Sequence, residues 1–202
     1  AALVDKYVYY KVEASGYTLR EATDEEVEAH FAKLRPVEPQ KPKRDLTVTA
    51  IRPLGEIGFE DSDNVGVKAS NLATMGSFEL AEGMVPKGFA VPFHFYHAFM
   101  EHNGFYEKAG RILGDEELDK DSEALRKALK DFRKLIRSGD FPDEMRKNLA
   151  VVHASFPEET SLRCRSSTNN EDLPGFSGAG LYDSCTHRPD EGHLSKSIKQ
   201  VF

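Results

Sequence analysis

Residues 164–184 read CRSSTNNEDLPGFSGAGLYDS. The flanking SLRCR and LYDSCT have the composition of short strands, so the polar run from Arg165 to Gly180 is a long loop between them. A basic residue, then hydroxyl and amide side chains, then three closely spaced glycines is how a backbone is brought up to an anion. Glycine allows close contact and positive φ, and the freed N–H groups donate to phosphate oxygens. In such a clamp Arg165 supplies charge, Ser166 and Ser167 supply hydroxyls, and Gly178 and Gly180 supply amide-rich turns. On spacing alone a Gly- and Ser-rich stretch between strands is more often a plain connection. The loop fits neither GxxxxGK[ST] nor GxGxxG, which disfavours the phosphate loops built on those patterns.

Upstream of this loop the chain reads as mixed α and β. Leu118, Leu125, Leu129, Phe132 and Ile136 recur at helical spacing and predict one amphipathic helix. A further helix starts near Pro142 and runs to about Ser155, since proline is tolerated in a first helical turn. VPKGFAVP, residues 85–92, places a short buried strand between prolines. The next segment, FHFYHAFMEHNGF, alternates aromatics as a helix does, with Phe95, Phe99 and Met100 facing the core. VKASNLATM, residues 67–75, is a short helix, and LTVTAI, residues 46–51, alternates as a strand. A final helix starts at about Asp190.

The first 45 residues differ in character. Residues 4–12, VDKYVYYKV, predict a strand, and Thr23 with Glu26 forms a capping box ahead of EEVEAHFAKL. RPVEPQKPKR, residues 35–44, carries three prolines and four basic residues and predicts an extended tether. Residues 1–45 therefore read as a small strand-helix appendage with a linker, and residues 46–202 as a separate domain.

The chain has 202 residues, with 27 Lys and Arg against 34 Asp and Glu, a net charge of −7. A chain of this length buries roughly 70% of its unfolded surface, enough for one core or one core with an appendage. The acidic balance argues against a general nucleic-acid binder. No stretch approaches the roughly 20 apolar residues that cross a bilayer. Two cysteines, Cys164 and Cys185, are too few for a disulfide-stapled secreted fold, so the expected location is the cytoplasm. The start at Ala1 and the helical look of SIKQVF at the end predict a piece of a longer protein.

The stretch 164–184 resembles the RSS-x-x-x-EDLP-x-x-S-x-AG signature of the nucleotide-binding domain of the phosphoenolpyruvate synthase and pyruvate phosphate dikinase family. A second match, VGVKASNLATM followed by GMVPKGFAVPFHFYHAFM, is similar to that family's K-G-x-NL-x-x-M and G-x-x-VP-x-GF segments. The resemblance covers roughly residues 54–202. It implies the first lobe of an ATP-grasp-like α/β domain in which Lys68 and Arg165 contact ATP phosphates, with Mg²⁺ as companion. It further implies that phosphate passes through a histidine on a separate domain to pyruvate or another acceptor. Lys suits a phosphate as a compact charge and Arg as a planar fork. Without the motif, Lys68 reads as a solvated helix lysine, and Arg165 as the ion-pair partner of Glu171 or Asp172. Two departures stand out: Lys68-Ala69 where relatives have Lys-Gly, and Gly180-Leu181-Tyr182 where they often have glutamines after the glycine. A degenerate lobe serving as a scaffold or nucleotide sensor is the rival reading.

Other candidates carry less. His94, His97 and His102 lack carboxylate or cysteine partners at ligand spacing and read as core-edge or surface residues. His187 and His193 flank a polar turn and are expected to be exposed. Ser166 and Ser167 have no His and Asp arrangement for nucleophilic catalysis. Cys164 and Cys185 read as small buried hydrophobes.

Overall fold

A computed structural model describes residues 3–34, 41–173 and 176–202. The chain divides into two compact units, Ala1–Lys41 with Leu173–Phe176, and Pro42–Asp172 with Ser177–Phe202.

In the first unit the expected strand is one arm of a hairpin. Val8–Glu13 pairs antiparallel with Gly16–Glu21, so that Tyr10 faces Leu19 and Val12 faces Tyr17 across the ladder. The second arm, GYTLRE, mixes polar and apolar residues, and two residues joining it to a β-rich arm are what a tight hairpin needs. The expected strand and helix are both present, with a second strand between them. Side chains at alternate positions share a face, which puts Val8, Tyr10, Val12, Tyr17 and Leu19 together, all exposed. The helix Asp24–Leu34 begins at the expected capping box: the Glu26 amide donates to Thr23 Oγ1 at 3.2 Å and the Thr23 amide to Glu26 Oε2 at 2.9 Å. Arg20 grips both oxygens of Glu26, and with the Thr23 amide it holds that carboxyl down at about 2. The tether segment 35–40 lies outside the described residues.

The second unit is held by aromatic side chains. Phe99 is fully buried on the helix Phe93–His102. Its ring lies 4.7 Å from Phe141, 5.4 Å from Phe202 and 5.6 Å from Phe105. Phe95, Met100, Ile136, Met145, Leu149 and Leu194 complete this core. The predicted single helix over 118–136 is two helices, Glu116–Lys120 and Ser122–Ser138. Each is capped by an aspartate: Asp115 accepts from the Glu117 and Leu118 amides, and Asp121 from those of Glu123 and Ala124. A carboxylate that satisfies orphan N–H groups starts a new helix where apolar spacing alone would continue the old one. The helix Phe105–Leu113, which the spacing did not predict, packs beside them through Phe105. Asp143–Ala154 follows Pro142 as expected.

The alternation predicted for Leu46–Ile51 appears in burial, with Leu46 and Val48 turned in, yet among the described residues the segment has no strand partner. The ladder forms later, where Arg52–Pro53 pairs with Phe89–Ala90. Arg52 donates to Asp61 Oδ1 at 2.7 Å and to the Glu56 carbonyl, which ties this turn to its strand. A second, smaller core of Ile57, Val65, Ala73 and Ala90 lies here. A further sheet pairs Leu162–Arg165 antiparallel with Ser184–His187, and the chain continues into the helix Ser195–Val201; within the signature loop Asp172–Leu173 also pairs with Phe176–Ser177. Among the described residues no helix is long and apolar enough to cross a membrane.

Candidate functional site

Gly66 precedes the helix Val67–Met75 at φ +86°, a conformation L side chains rarely adopt. A Cβ there would strike the backbone of Ser167, so glycine is required twice over, by angle and by space. That close approach seats residues of the loop on the first turn of the helix. The Ala69 amide, one of the donors a helix N-terminus leaves unpaired, donates to Ser167 Oγ at 2.9 Å across 98 residues of sequence. The methyl of Ala69 packs against the small core, which gives the departure from glycine a packing role.

Two further ties cross the same junction. Lys68 Nζ donates to Glu171 Oε1 at 2.6 Å. Asn169 Nδ2 donates to the Ser62 carbonyl at 3.0 Å and to that of Lys43 at 3.3 Å. Glu171 Oε2 is buried without a hydrogen-bond partner among the described residues. The far end of the loop is pinned as well: the Gly178 amide donates to the Glu171 carbonyl at 2.5 Å. A Cβ on Gly178 would lie 2.7 Å from that oxygen, so only glycine permits the approach. Gly180, at φ +82°, follows in a turn closed by the Leu181 amide on the Gly178 carbonyl.

Of the residues singled out from the sequence, Lys68, Ser167 and Gly178 meet through Glu171 and the first turn of the helix. Ser166 is buried. Arg165, the last residue of its strand, is exposed, and among the described residues it makes no ion pair. Of the two acids offered as partners for Arg165, Glu171 is engaged by Lys68, and the Asp172 side chain lies outside the described residues. Sequence reading missed Asn169 and Glu171 as clasps of the junction, although both sit inside the signature, because nothing local says which distant residue an amide or carboxylate will reach.

His187 and His193 differ from expectation. His187 is fully buried, with Nδ1 2.8 Å from Ser197 Oγ and its ring 4.9 Å from that of His153. It ends a strand whose alternate residues turn inward, so the turn-like composition after it misled. Burial, with His153 adding to it, pulls its pKa below the usual histidine value. His193 is half-buried, and its Nε2 lies 3.1 Å from the Arg146 carbonyl. Among the described residues no group of three or more His, Cys, Asp or Glu side chains gathers as a metal site would need.

Comparison with known proteins places these motifs. Residues 62–202 match the model of the pyruvate phosphate dikinase AMP/ATP-binding domain. The chain is 30% identical over 156 residues to a probable phosphoenolpyruvate synthase of Methanocaldococcus jannaschii, covering 74% of this chain and 13% of that protein. It is 29% identical over 154 residues to the phosphoenolpyruvate synthase of Pseudomonas aeruginosa, covering 74% and 19%. Over 151 residues it is 27% identical to the Escherichia coli phosphoenolpyruvate synthase, covering 73% and 19%. The chain thus spans less than a fifth of the length of each of these three relatives. Both motifs of the junction fall inside the matched region, and the chain belongs to the pyruvate phosphate dikinase AMP/ATP-binding domain family.

Proposed function

We propose that residues 46–202 are the first lobe of the ATP site of a phosphoenolpyruvate synthase-like phosphotransferase, with residues 1–45 as an appendage outside it. In this reading Lys68 and Arg165 neutralise phosphate oxygens, Ser166 and Ser167 donate hydroxyls, and Gly178 and Gly180 let backbone amides approach. The observation that carries it is the junction itself. Two sequence-distant motifs are held together at a helix N-terminus, through Ala69 with Ser167 and Lys68 with Glu171. Phosphoryl transfer asks mainly for placed positive charge and oriented donors, which is what such a junction offers. Among the described residues no group of three or more His, Cys, Asp or Glu side chains gathers to cage Mg²⁺, and Glu171 has one oxygen on Lys68.

In this reading phosphate leaves for a histidine outside the chain and then for pyruvate or another acceptor. The test is labelling with ATP carrying radioactive β-phosphate. The full-length protein should acquire an acid-labile, base-stable label, whereas the 202-residue chain should acquire none and bind ATP more weakly than micromolar, a limit of about −8 kcal/mol. A label on the isolated chain would mean a self-contained kinase. No label on the full-length protein would leave the nucleotide-sensor reading, which the exposed Leu181 beside Gly180 favours.

A further inference from the structure

Cys164 and Cys185 stand directly opposite each other in the antiparallel pair Leu162–Arg165 and Ser184–His187. Burial along these strands alternates, with Leu162, Cys164, Cys185 and His187 turned inward and Arg163, Arg165, Ser184 and Thr186 outward. Both sulfurs therefore lie on the same side of the ribbon, and both are free thiols. Opposed residues of an antiparallel pair sit about 4.5–5.5 Å apart at Cα, inside the roughly 4.4–6.8 Å that a disulfide spans. The next rung, Arg165 with Ser184, is where the strands part and the signature loop begins. The cysteine rung is the neck of that loop.

We propose that Cys164 and Cys185 are a modification site: a reversible cross-strand disulfide, formed by exchange with a small-molecule disulfide of the glutathione class, that staples the neck of the loop. The Cys185 thiolate attacks one sulfur of the small disulfide, forming a mixed disulfide and expelling one small thiolate. Cys164 then loses its proton to solvent and attacks Cys185 Sγ, expelling the second small thiolate. Two protein thiols are oxidised by two electrons, and one small disulfide is reduced to two thiols. Burial, with the neighbouring Cys185 adding to it, pushes Cys164 up to about 12, and burial raises Cys185 as well. Cys185 is the entry point in this scheme. Cys185 Sγ also donates to the Ser197 carbonyl at 3.1 Å, and this bond is given up on reaction. Since the attacking form is the thiolate, exchange is slow at neutral pH and accelerates as pH rises. The site is independent of whether the loop holds ATP.

The test exposes the intact protein to excess oxidised glutathione between about pH 7 and about pH 9, quenches with acid, alkylates after unfolding and maps the peptides. The expected product joins the Cys164 and Cys185 peptides of one chain, lacks two hydrogens relative to the reduced pair, and is reversed by dithiothreitol. Its formation rate should rise about tenfold per pH unit while both thiols remain mostly protonated. The oxidised protein should melt several degrees above the reduced one, because the staple restricts the unfolded loop. In Cys164→Ser the reaction should stop with glutathione on Cys185. Alkylation of both cysteines after exposure at the highest pH, mixed disulfides that persist in the unmodified sequence, or a bond between two chains would each overturn the proposal.

Discussion

The aromatic core around Phe99 and the junction around Gly66 lie in the same unit and are built on opposite principles. Around Phe99, four rings and several aliphatic side chains fill space. Around Gly66 the apolar cluster is small, the backbone takes a positive φ that only glycine adopts freely, and buried acceptors on Asn64, Asn169 and Glu171 lack partners among the described residues. Packing of the first kind holds an element in place. A junction of the second kind spends stability to aim charges and amides.

The largest effect that sharpens this contrast is Phe99→Ala. Emptying a fully buried ring position costs about 3–5 kcal/mol, so the melting temperature should fall by roughly 10 °C or more. Calorimetry checks it, and a loss of less than about 1 kcal/mol would show that the aromatic cluster is not the stabilising centre. Gly66→Ala comes next. A side chain at positive φ and against the Ser167 backbone should cost on the order of 1–3 kcal/mol, with a particular signature. Hydrogen exchange of the Ala69 amide should accelerate as the loop lifts from the helix, while amides in Phe93–His102 keep their protection relative to the global stability. Equal acceleration everywhere would mean that the two regions are one cooperative unit.

His187 gives a smaller effect, confined to acid. Its folded-state pKa lies below the unfolded value of about 6.5, so below that pH the unfolded chain binds the extra proton first. Stability contributed by the neutral buried ring is complete above about pH 6.5 and is lost as pH falls toward the folded value, by up to about 1.4 kcal/mol per unit. The neighbours His153, Glu191 and His193 act on the same ring. Melting curves between pH 7 and pH 5 should be flatter in His187→Gln than in the unmodified protein. An unchanged slope would place the acid sensitivity elsewhere.

Much of the junction was legible in the sequence because its parts are local. The helix Val67–Met75, the strand Phe89–Ala90 and the buried Phe95, Phe99 and Met100 appear where periodicity and prolines put them. What failed depended on partners. Leu46–Ile51 has a strand's alternation and, among the described residues, no neighbour to pair with, whereas Gly16–Glu21 has a weaker pattern and a partner two residues away. The helix through Leu118 and Ile136 broke because the carboxylate of Asp121 caps a new turn, a hydrogen-bonding event that apolar spacing does not record. Within the candidate site the residue types that bind anions were readable. That Glu171 would reach Lys68 rather than the nearby Arg165 required the fold.

The smallest effects on stability are expected at Lys68 and Arg165, where the account expects the largest effects on chemistry. Lys68 is half-exposed, so its bond to Glu171 contributes at most about 1 kcal/mol after screening by solvent. Arg165→Lys keeps the charge and removes the planar fork. The decisive measurement follows β-phosphate labelling and thermal unfolding of Lys68→Ala and Arg165→Lys in the same preparations of the full-length protein. The account predicts that labelling falls at least about tenfold in each, the equivalent of 1.4 kcal/mol or more of lost transition-state stabilisation, with stability moving by no more than about 1 kcal/mol for Lys68→Ala and about 0.5 kcal/mol for Arg165→Lys. Normal labelling, or a loss of labelling matched by an equal loss of stability, would contradict it and return both residues to a structural role.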